Sequence, residues 1–307
     1  MDRVIVVRKP AGPTSHDVVE RIRRSSGVRK VGHAGTLDPT ATGVLVVMTG
    51  KATRLAQFLG EGTKEYRGHI LLGRTTDSQD AAGRTLDERP WDDVTASDVE
   101  RAFERLTGEI DQTPPMVSAL KRDGTPLYEL ARAGVTVERA PRRVLVERLR
   151  LLAFRPPEVE FEVICSKGTY VRTLAADAGE LLGCGACLGA LERRRAGAFT
   201  LDEAVELSAV EALGRDIAVA GRSMFDALRD LPVLVVDRRE ALLIASGSAL
   251  KVETGRAGAQ GGLVRVTRDG VGLLAVCRSS QDGAAALVRP VCVFESVDGA
   301  ASDADRA

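Results

Sequence analysis

One carboxylate in this chain stands apart by its surroundings. Asp38 lies in the run Gly32-His33-Ala34-Gly35-Thr36-Leu37-Asp38-Pro39-Thr40-Ala41-Thr42-Gly43, which leads into the apolar stretch Val44 to Met48. Pro39 keeps Asp38 out of helical backbone and pushes it toward an extended conformation. Gly32, Gly35 and Gly43 allow positive φ or a close backbone approach. The apolar stretch has the composition of a buried strand, so the carboxylate is expected at the fixed end of a sheet, where functional side chains are often mounted. Taken alone, the pattern fits a plain Asp-Pro turn ahead of a strand better than a reactive loop. No Gly-Lys-Ser/Thr follows, so it is not a phosphate loop.

Other chemistry-bearing residues are sparse. Five cysteines, Cys165, Cys184, Cys187, Cys277 and Cys292, are an odd number spread thinly over the chain, which argues against a disulfide framework. Cys184 and Cys187 form a C-x-x-C pair, but a zinc site needs about two more ligands, and His16, His33 and His69 lie far away in sequence. The expectation is therefore two buried thiols and no metal. Lysine plus arginine balances aspartate plus glutamate at 43 each, so net charge neither demands nor forbids a nucleic acid. The basic residues are clustered, as Arg21, Arg23, Arg24, Arg29 and Lys30, then Arg139, Arg142, Arg143, Arg148 and Arg150, then Arg193, Arg194 and Arg195. Each cluster alone is more often a solvated face. Three of them, nearly all arginine, suit a shared polyanionic partner, because guanidinium grips phosphate in a fork and stacks on bases.

The elements that must position these groups read as mixed. A short strand at Ile5 to Val7 precedes a helix opened by Thr14 and Asp17 at capping-box spacing, carrying Val18, Val19 and Ile22 and stopped by Gly27. A helix over 53–59 and a strand over 66–72 follow. Ser97 and Glu100 are expected to cap a helix with Val99, Ala102, Phe103 and Leu106 on one face. Asp123-Gly124 is a turn signal, and Thr125-Pro126 opens a short helix ending at Gly134. A strand over 144–154 precedes Val159, Phe161, Val163 and Cys165, which alternate with Glu158, Glu160 and Glu162 as in a half-buried strand. Hairpin turns and this one-sided alternation favour antiparallel pairing, and the class is α+β: a mainly antiparallel sheet flanked by helices.

Composition shifts at Leu231-Pro232. A helix around 239–245 and short strands over 263–266, 271–277 and 287–294, with turns at Asp269-Gly270 and Asp282-Gly283, read as a small β-barrel or sandwich. The division is 1–230, 231–295 and an acidic, disordered tail 296–307. Deleting 231–307 is expected to leave a folded first unit. Hydrophobic content of 44% and charged content of 28% are ordinary for a globular protein of 307 residues. No stretch approaches the roughly 18 apolar residues of a membrane span, and the short N-terminal apolar run meets Arg8 and Lys9 too soon for a signal peptide. A cytoplasmic protein is expected.

Several segments resemble, in order, the TruB-type tRNA pseudouridine synthases. They are Lys9-Pro10-Ala11-Gly12-Pro13-Thr14-Ser15, the GHAGTLDPTATGVL run around Asp38, Lys64-Glu65-Tyr66, Gln112-Thr113-Pro114-Pro115 with Ser118-Ala119-Leu120-Lys121, and Cys165-Ser166-Lys167-Gly168-Thr169-Tyr170-Val171-Arg172-Thr173-Leu174. The resemblance implies a pseudouridine synthase fold with a small C-terminal RNA-binding unit of PUA type. It implies isomerisation of uridine 55 in the T loop of tRNA, in which the base detaches from the sugar, turns and rejoins through carbon after the nucleotide leaves its stack. No cofactor, no obligate protein partner and a monomer are implied.

By position in those segments, Asp38 is the catalytic carboxylate and Arg172 the partner that holds its charge. Tyr66 stacks on the target base and offers a hydroxyl as a base at the carbon that loses its proton. His33 fills the gap left by the flipped nucleotide. Tyr170 and Leu191 are pocket walls or contacts, and Lys9 and Lys64 touch phosphates. The sequence departs at Val117, where the family commonly has an aromatic. Asp77 and Asp80 read as loop caps or solvated groups. The competing reading is a non-catalytic tRNA-binding or folding factor, against which stands the joint presence of Asp38, Tyr66 and Arg172.

Overall fold

The computed structural model describes residues 1–118, 120–122, 124–256, 262–268, 272–283 and 285–294. The expected turn at Asp269-Gly270, the first residue of the strand expected from Val271, and the tail from residue 296 lie outside the described residues.

A ten-stranded sheet dominates the first 206 residues. Its strands run in the spatial order Val205–Glu206, Val4–Lys9, Thr42–Thr49, Ala186–Ala196, Lys64–Leu72, Glu158–Cys165, Arg142–Arg155 and Gly108–Gln112, with Val31–Ala34 added beside Thr42–Thr49 and Phe199–Thr200 beside Ala186–Ala196. Most pairs are antiparallel; Ala186–Ala196 is parallel to Thr42–Thr49 and Val205–Glu206 to Val4–Lys9. The class is α+β, as expected. Val159, Phe161, Val163 and Cys165 are all buried, so the alternation along that strand does point one face inward. The opposite face carries Glu160 and Glu162, which pair with Arg67, Arg148 and Arg150.

Three helices cover one face: Ser15–Ser26, Ala96–Arg105 and Val171–Leu182. The first is capped as expected, with Thr14 and Asp17 in a reciprocal box and Gly27 left-handed at φ 70°. The second starts two residues earlier than expected, on a box made by Thr95 and Asp98. Its Phe103 meets Phe161 of the sheet edge-on, with ring centroids 6.5 Å apart. The third lies directly on the sheet, because Gly179 has no side chain: a Cβ there would stand 2.1 Å from the Ala186 amide. That contact sets the height of the whole helix above the strand, Arg172 included.

A second, five-stranded sheet follows, in the order Val233–Val236, Leu263–Arg268, Ala275–Asp282, Ala285–Val293 and Leu250–Glu253, with the helix Arg238–Ala245 against it. It has its own aliphatic cluster, including Leu234, Ile244, Val264, Val266 and Val288. It also shares one. Leu273, Val276, Cys292 and Phe294 pack with Val4, Val6, Val46 and Met48 of the first sheet's outer face and with Leu55 of the short helix after it. Arg54 clamps this seam, donating to the Val293 carbonyl at 2.6 Å with its guanidinium 5.0 Å from the Phe294 ring centre. The second unit therefore shares a core with the first, so removing residues 231–307 would uncover apolar surface on the unit expected to stay folded alone.

Candidate active site

Asp38 sits where Val31–Ala34 gives way to Thr42–Thr49, in a loop tied down at every few residues. Ser15 accepts from the Leu37 amide at 2.8 Å and donates to the Leu37 carbonyl at 3.0 Å. The Gly12 amide reaches the Pro39 carbonyl at 2.9 Å, and the Ala41 amide the Asp38 carbonyl at 3.1 Å. Held this way, the carboxylate keeps 37% of its side-chain surface open.

Arg172, in the first turn of Val171–Leu182, faces it from a buried position, with only 3% of its side chain exposed. Its Nε donates to Oδ2 at 2.8 Å and Nη2 to Oδ1 at 3.2 Å, a two-point fork on the carboxylate. The remaining donors reach the Ser78 carbonyl at 2.7 Å and the Val117 carbonyl at 2.8 Å. The guanidinium thus joins three chain segments that are far apart in sequence. Val117 itself is 36% exposed, so at the position where an aromatic is common it contributes a carbonyl to Arg172 and an open side chain.

Tyr66 is buried on Lys64–Leu72, in the central part of the sheet and one strand removed from Thr42–Thr49. Burial pushes its phenol up, and the nearby Arg193 guanidinium pulls it partly back. The hydroxyl is therefore a neutral phenol at pH 7. His33 is half-buried with Nδ1 lacking a hydrogen-bond partner. Its pKa is lowered by burial and then by Arg193, so a neutral imidazole stands beside the loop, suited to stacking rather than to gripping phosphate. Leu191 is buried against Gly68. Tyr170 is half-buried, and Gln112 fixes its backbone from both sides, accepting from its amide at 2.7 Å and donating to its carbonyl at 3.1 Å.

The two lysines are placed differently from expectation. Lys9 is fully buried, its ammonium donating to the carbonyls of Pro10 at 2.9 Å, Pro39 at 3.1 Å and Ala41 at 2.7 Å. Lys64 is buried too, donating to Gly60 at 2.6 Å and to Gly62. Burial lowers each to about 8. All three donors of Lys9 and two of Lys64 are taken up by main-chain carbonyls, so both lysines brace backbone; Lys9 holds the Asp38 loop from beneath. Asp80, read as a loop cap or a solvated group, caps its own loop, taking Ser78 Oγ at 2.6 Å and the Ala82 amide at 3.2 Å. Asp77 accepts from the Arg84 amide at 2.9 Å.

Sequence reasoning passed over Arg193 altogether as a site residue, grouping it with a surface cluster. It is 1% exposed and belongs to the central strand Ala186–Ala196. Its neighbours in that cluster form surface pairs instead, Arg194 with Glu192 and Arg195 with Glu65. Gln112 and Ser15 were also given no role, although both stand inside the quoted resemblance. Among the described residues, no group of three or more His, Cys, Asp or Glu could hold a metal ion, and all five cysteines are buried and free.

Comparison with known proteins bears on the family of the chain. The model of the TruB family pseudouridylate synthase N-terminal domain matches residues 23–171, and that of the tRNA pseudouridylate synthase B C-terminal domain residues 172–230. The tRNA pseudouridine synthase B of Syntrophotalea carbinolica is 52% identical over 237 residues, 77% of this chain and 78% of that one. That of Burkholderia pseudomallei (strain 668) is 45% identical over 287 residues, 92% and 94% of the two chains. A solved Cbf5-Nop10-Gar1 complex contains a chain of similar fold, with TM-score 0.76 and 28% identity, covering 96% of this chain and 86% of that one. Ordered motifs, a forked carboxylate at a sheet end and matches across both halves lead to one assignment: the chain belongs to the TruB family of pseudouridylate synthases.

Proposed function

We propose that this enzyme converts uridine 55 in the T loop of tRNA to pseudouridine, with Asp38 as the reacting carboxylate. The observation that carries the reading is the Arg172 fork: a buried guanidinium fixes both carboxylate oxygens while leaving Asp38 37% open toward a ligand. In the reaction, the bond from the sugar to the base nitrogen breaks, the base turns, and a bond forms from the same sugar carbon to a base carbon. That carbon loses a proton and the freed nitrogen gains one, so the product is an isomer and no cofactor is consumed. Tyr66 supports the base from below; its phenol is held neutral by burial, so it takes the carbon-bound proton only as it hands on its own, the proton the freed nitrogen needs. His33 fills the space vacated by the extruded nucleotide. Leu191 and Tyr170 line the pocket.

The sheet of residues 233–293 acts, in this reading, as a PUA-like second RNA contact, on a cytoplasmic monomer that needs no protein partner. In relatives of similar fold the assemblies differ: one solved neighbour is an H/ACA RNP bound to a substrate RNA containing 2'-deoxyuridine, with 25% identity and TM-score 0.73, covering 96% of this chain and 86% of that one. Incubation of the purified protein with unmodified tRNA transcript, followed by chemical labelling that maps pseudouridine, tests the reading. Modification at position 55 by the wild type and none by Asp38→Asn is the expected result; modification elsewhere, or none, overturns it.

A further inference from the structure

Arg193 occupies a singular place in the sheet. Its strand pairs on one side with Thr42–Thr49 and on the other with Lys64–Leu72, and Arg193 is in register with Gly43 on the first and Tyr66 on the second. Gly43 has φ 99°, and a Cβ there would lie 2.3 Å from the Arg193 carbonyl, so the end of the Asp38 loop and this strand touch backbone to backbone. The side chain then turns back over the loop. Nε donates to the Val44 carbonyl at 2.7 Å, Nη1 to Thr36 at 3.2 Å and Nη2 to Gly35 at 3.0 Å.

We propose that Arg193 is a positioning residue that locks the loop bearing Asp38 to the strand bearing Tyr66, fixing the distance between the two reacting groups. This rests on the reading of Asp38 and Tyr66 given above. Arg193 reaches its three carbonyls from three different nitrogens of one rigid plane; an ammonium carries its donors on a single atom and reaches three carbonyls only where they converge on one point, as at Lys9. Among the described residues it heads the fully buried side chains by size, and no carboxylate is recorded within ion-pair distance of it. Its charge is therefore available to the interior it faces. The groups acting on the Tyr66 phenol are Arg193, Cys165 and Asp38; of these Arg193 alone favours ionisation, against burial.

The test compares wild type, Arg193→Lys and Arg193→Gln in the full chain. Three quantities are read: single-turnover conversion of unmodified tRNA transcript at saturation, tRNA affinity, and cooperative thermal unfolding. Arg193→Lys is expected to fold, to bind tRNA within about threefold and to lose about 10²-fold in rate, the scale of a small misplacement of reacting groups. Arg193→Gln is expected to lose at least as much, and the alkaline limb of its pH–rate profile to move upward, whereas in Arg193→Lys it stays. A folded Arg193→Lys with a rate within threefold of wild type overturns the proposal. So does a loss confined to affinity, an unmoved limb in Arg193→Gln, or failure of both variants to fold, which makes the residue structural alone. Asp38→Asn and Tyr66→Phe are run alongside. Wild-type rate in either one discredits the reading of the site itself, and is told apart from failure of the Arg193 proposal by which variant is active.

Discussion

The Asp38 end of the first sheet and the seam between the two sheets are held by opposite means. Around Asp38 the chain buries charge: Lys9 and Arg193 direct their donors at main-chain carbonyls, and Arg172 adds two carbonyls to its grip on the carboxylate. The seam is aliphatic and aromatic, with Leu273, Val276, Cys292 and Phe294 set against Val4, Val6 and Met48. Hydrogen bonds to cations are short and directional, so they fix atoms in place. Apolar burial is non-directional and roughly proportional to area. One end of the molecule is built for position and the other for adhesion. Buried charge is costly unless fully bonded, and a fold that accepts it at one place marks that place as the working end.

The contrast can be broken most severely at Asp38. Asp38→Asn removes charge with little change in volume and is expected to lower single-turnover conversion by about 10⁴-fold or more, with tRNA affinity within about tenfold. Appreciable pseudouridine formation by a pure sample counts against it. Arg172→Lys keeps the charge but not the fork, and should cost about 10²- to 10³-fold in rate; a rate near wild type would make the fork peripheral.

At the seam the order of effects reverses. Phe294→Ala removes a ring that is 5% exposed and should cost about 3 kcal/mol in stability, read by urea unfolding, while the rate at saturating tRNA stays within about threefold. Deleting 231–307 uncovers the same apolar face and should lower Tm and solubility further; a truncated protein as stable as the full chain would show that the two sheets do not share a core.

The smallest effect sharpens the comparison through pH. Burial lowers Lys9 from its ordinary 10.5 to about 8. Between those values the unfolded chain binds more protons at this group than the native one, so this contribution to stability rises with pH. Wild type should therefore gain on Lys9→Met as pH climbs from about 8 toward 10, seen as a widening gap in urea midpoints. A narrowing gap would mean that the folded state favours the charged amine.

Much of the frame was legible from residue pattern. The Thr14–Asp17 box, the alternation from Glu158 to Cys165 and the strand after Gly43 follow local rules, and local rules survive in sequence. The strand Ala186–Ala196 did not show itself, although it lies at the centre of the sheet. Irregularities between Leu188 and Ala190 and between Arg193 and Arg195 break its period of two, and three consecutive arginines look like surface. The burial of Lys9 and Lys64 was hidden for a related reason. What satisfies them is main-chain carbonyl, which every residue carries, so no partner type betrays the contact. Asp38, Tyr66 and Arg172 were found through the family resemblance; nothing local to Arg172 announces that its guanidinium meets residues 38, 78 and 117.

The late arrival of that central strand has a consequence for how the protein is made. Residues 186–196 are inserted between strands that end at 49 and at 72. Until they are in place, the chain holds two half-sheets with facing unpaired edges, one carrying the Asp38 loop and the other Tyr66. Long-range pairing of this kind is slow, and open edges invite association between chains. A nascent or truncated chain lacking the strand has both halves of the site but no geometry joining them. Residues 186–196 are thus the one strand through which the Asp38 loop and Tyr66 come to share a sheet.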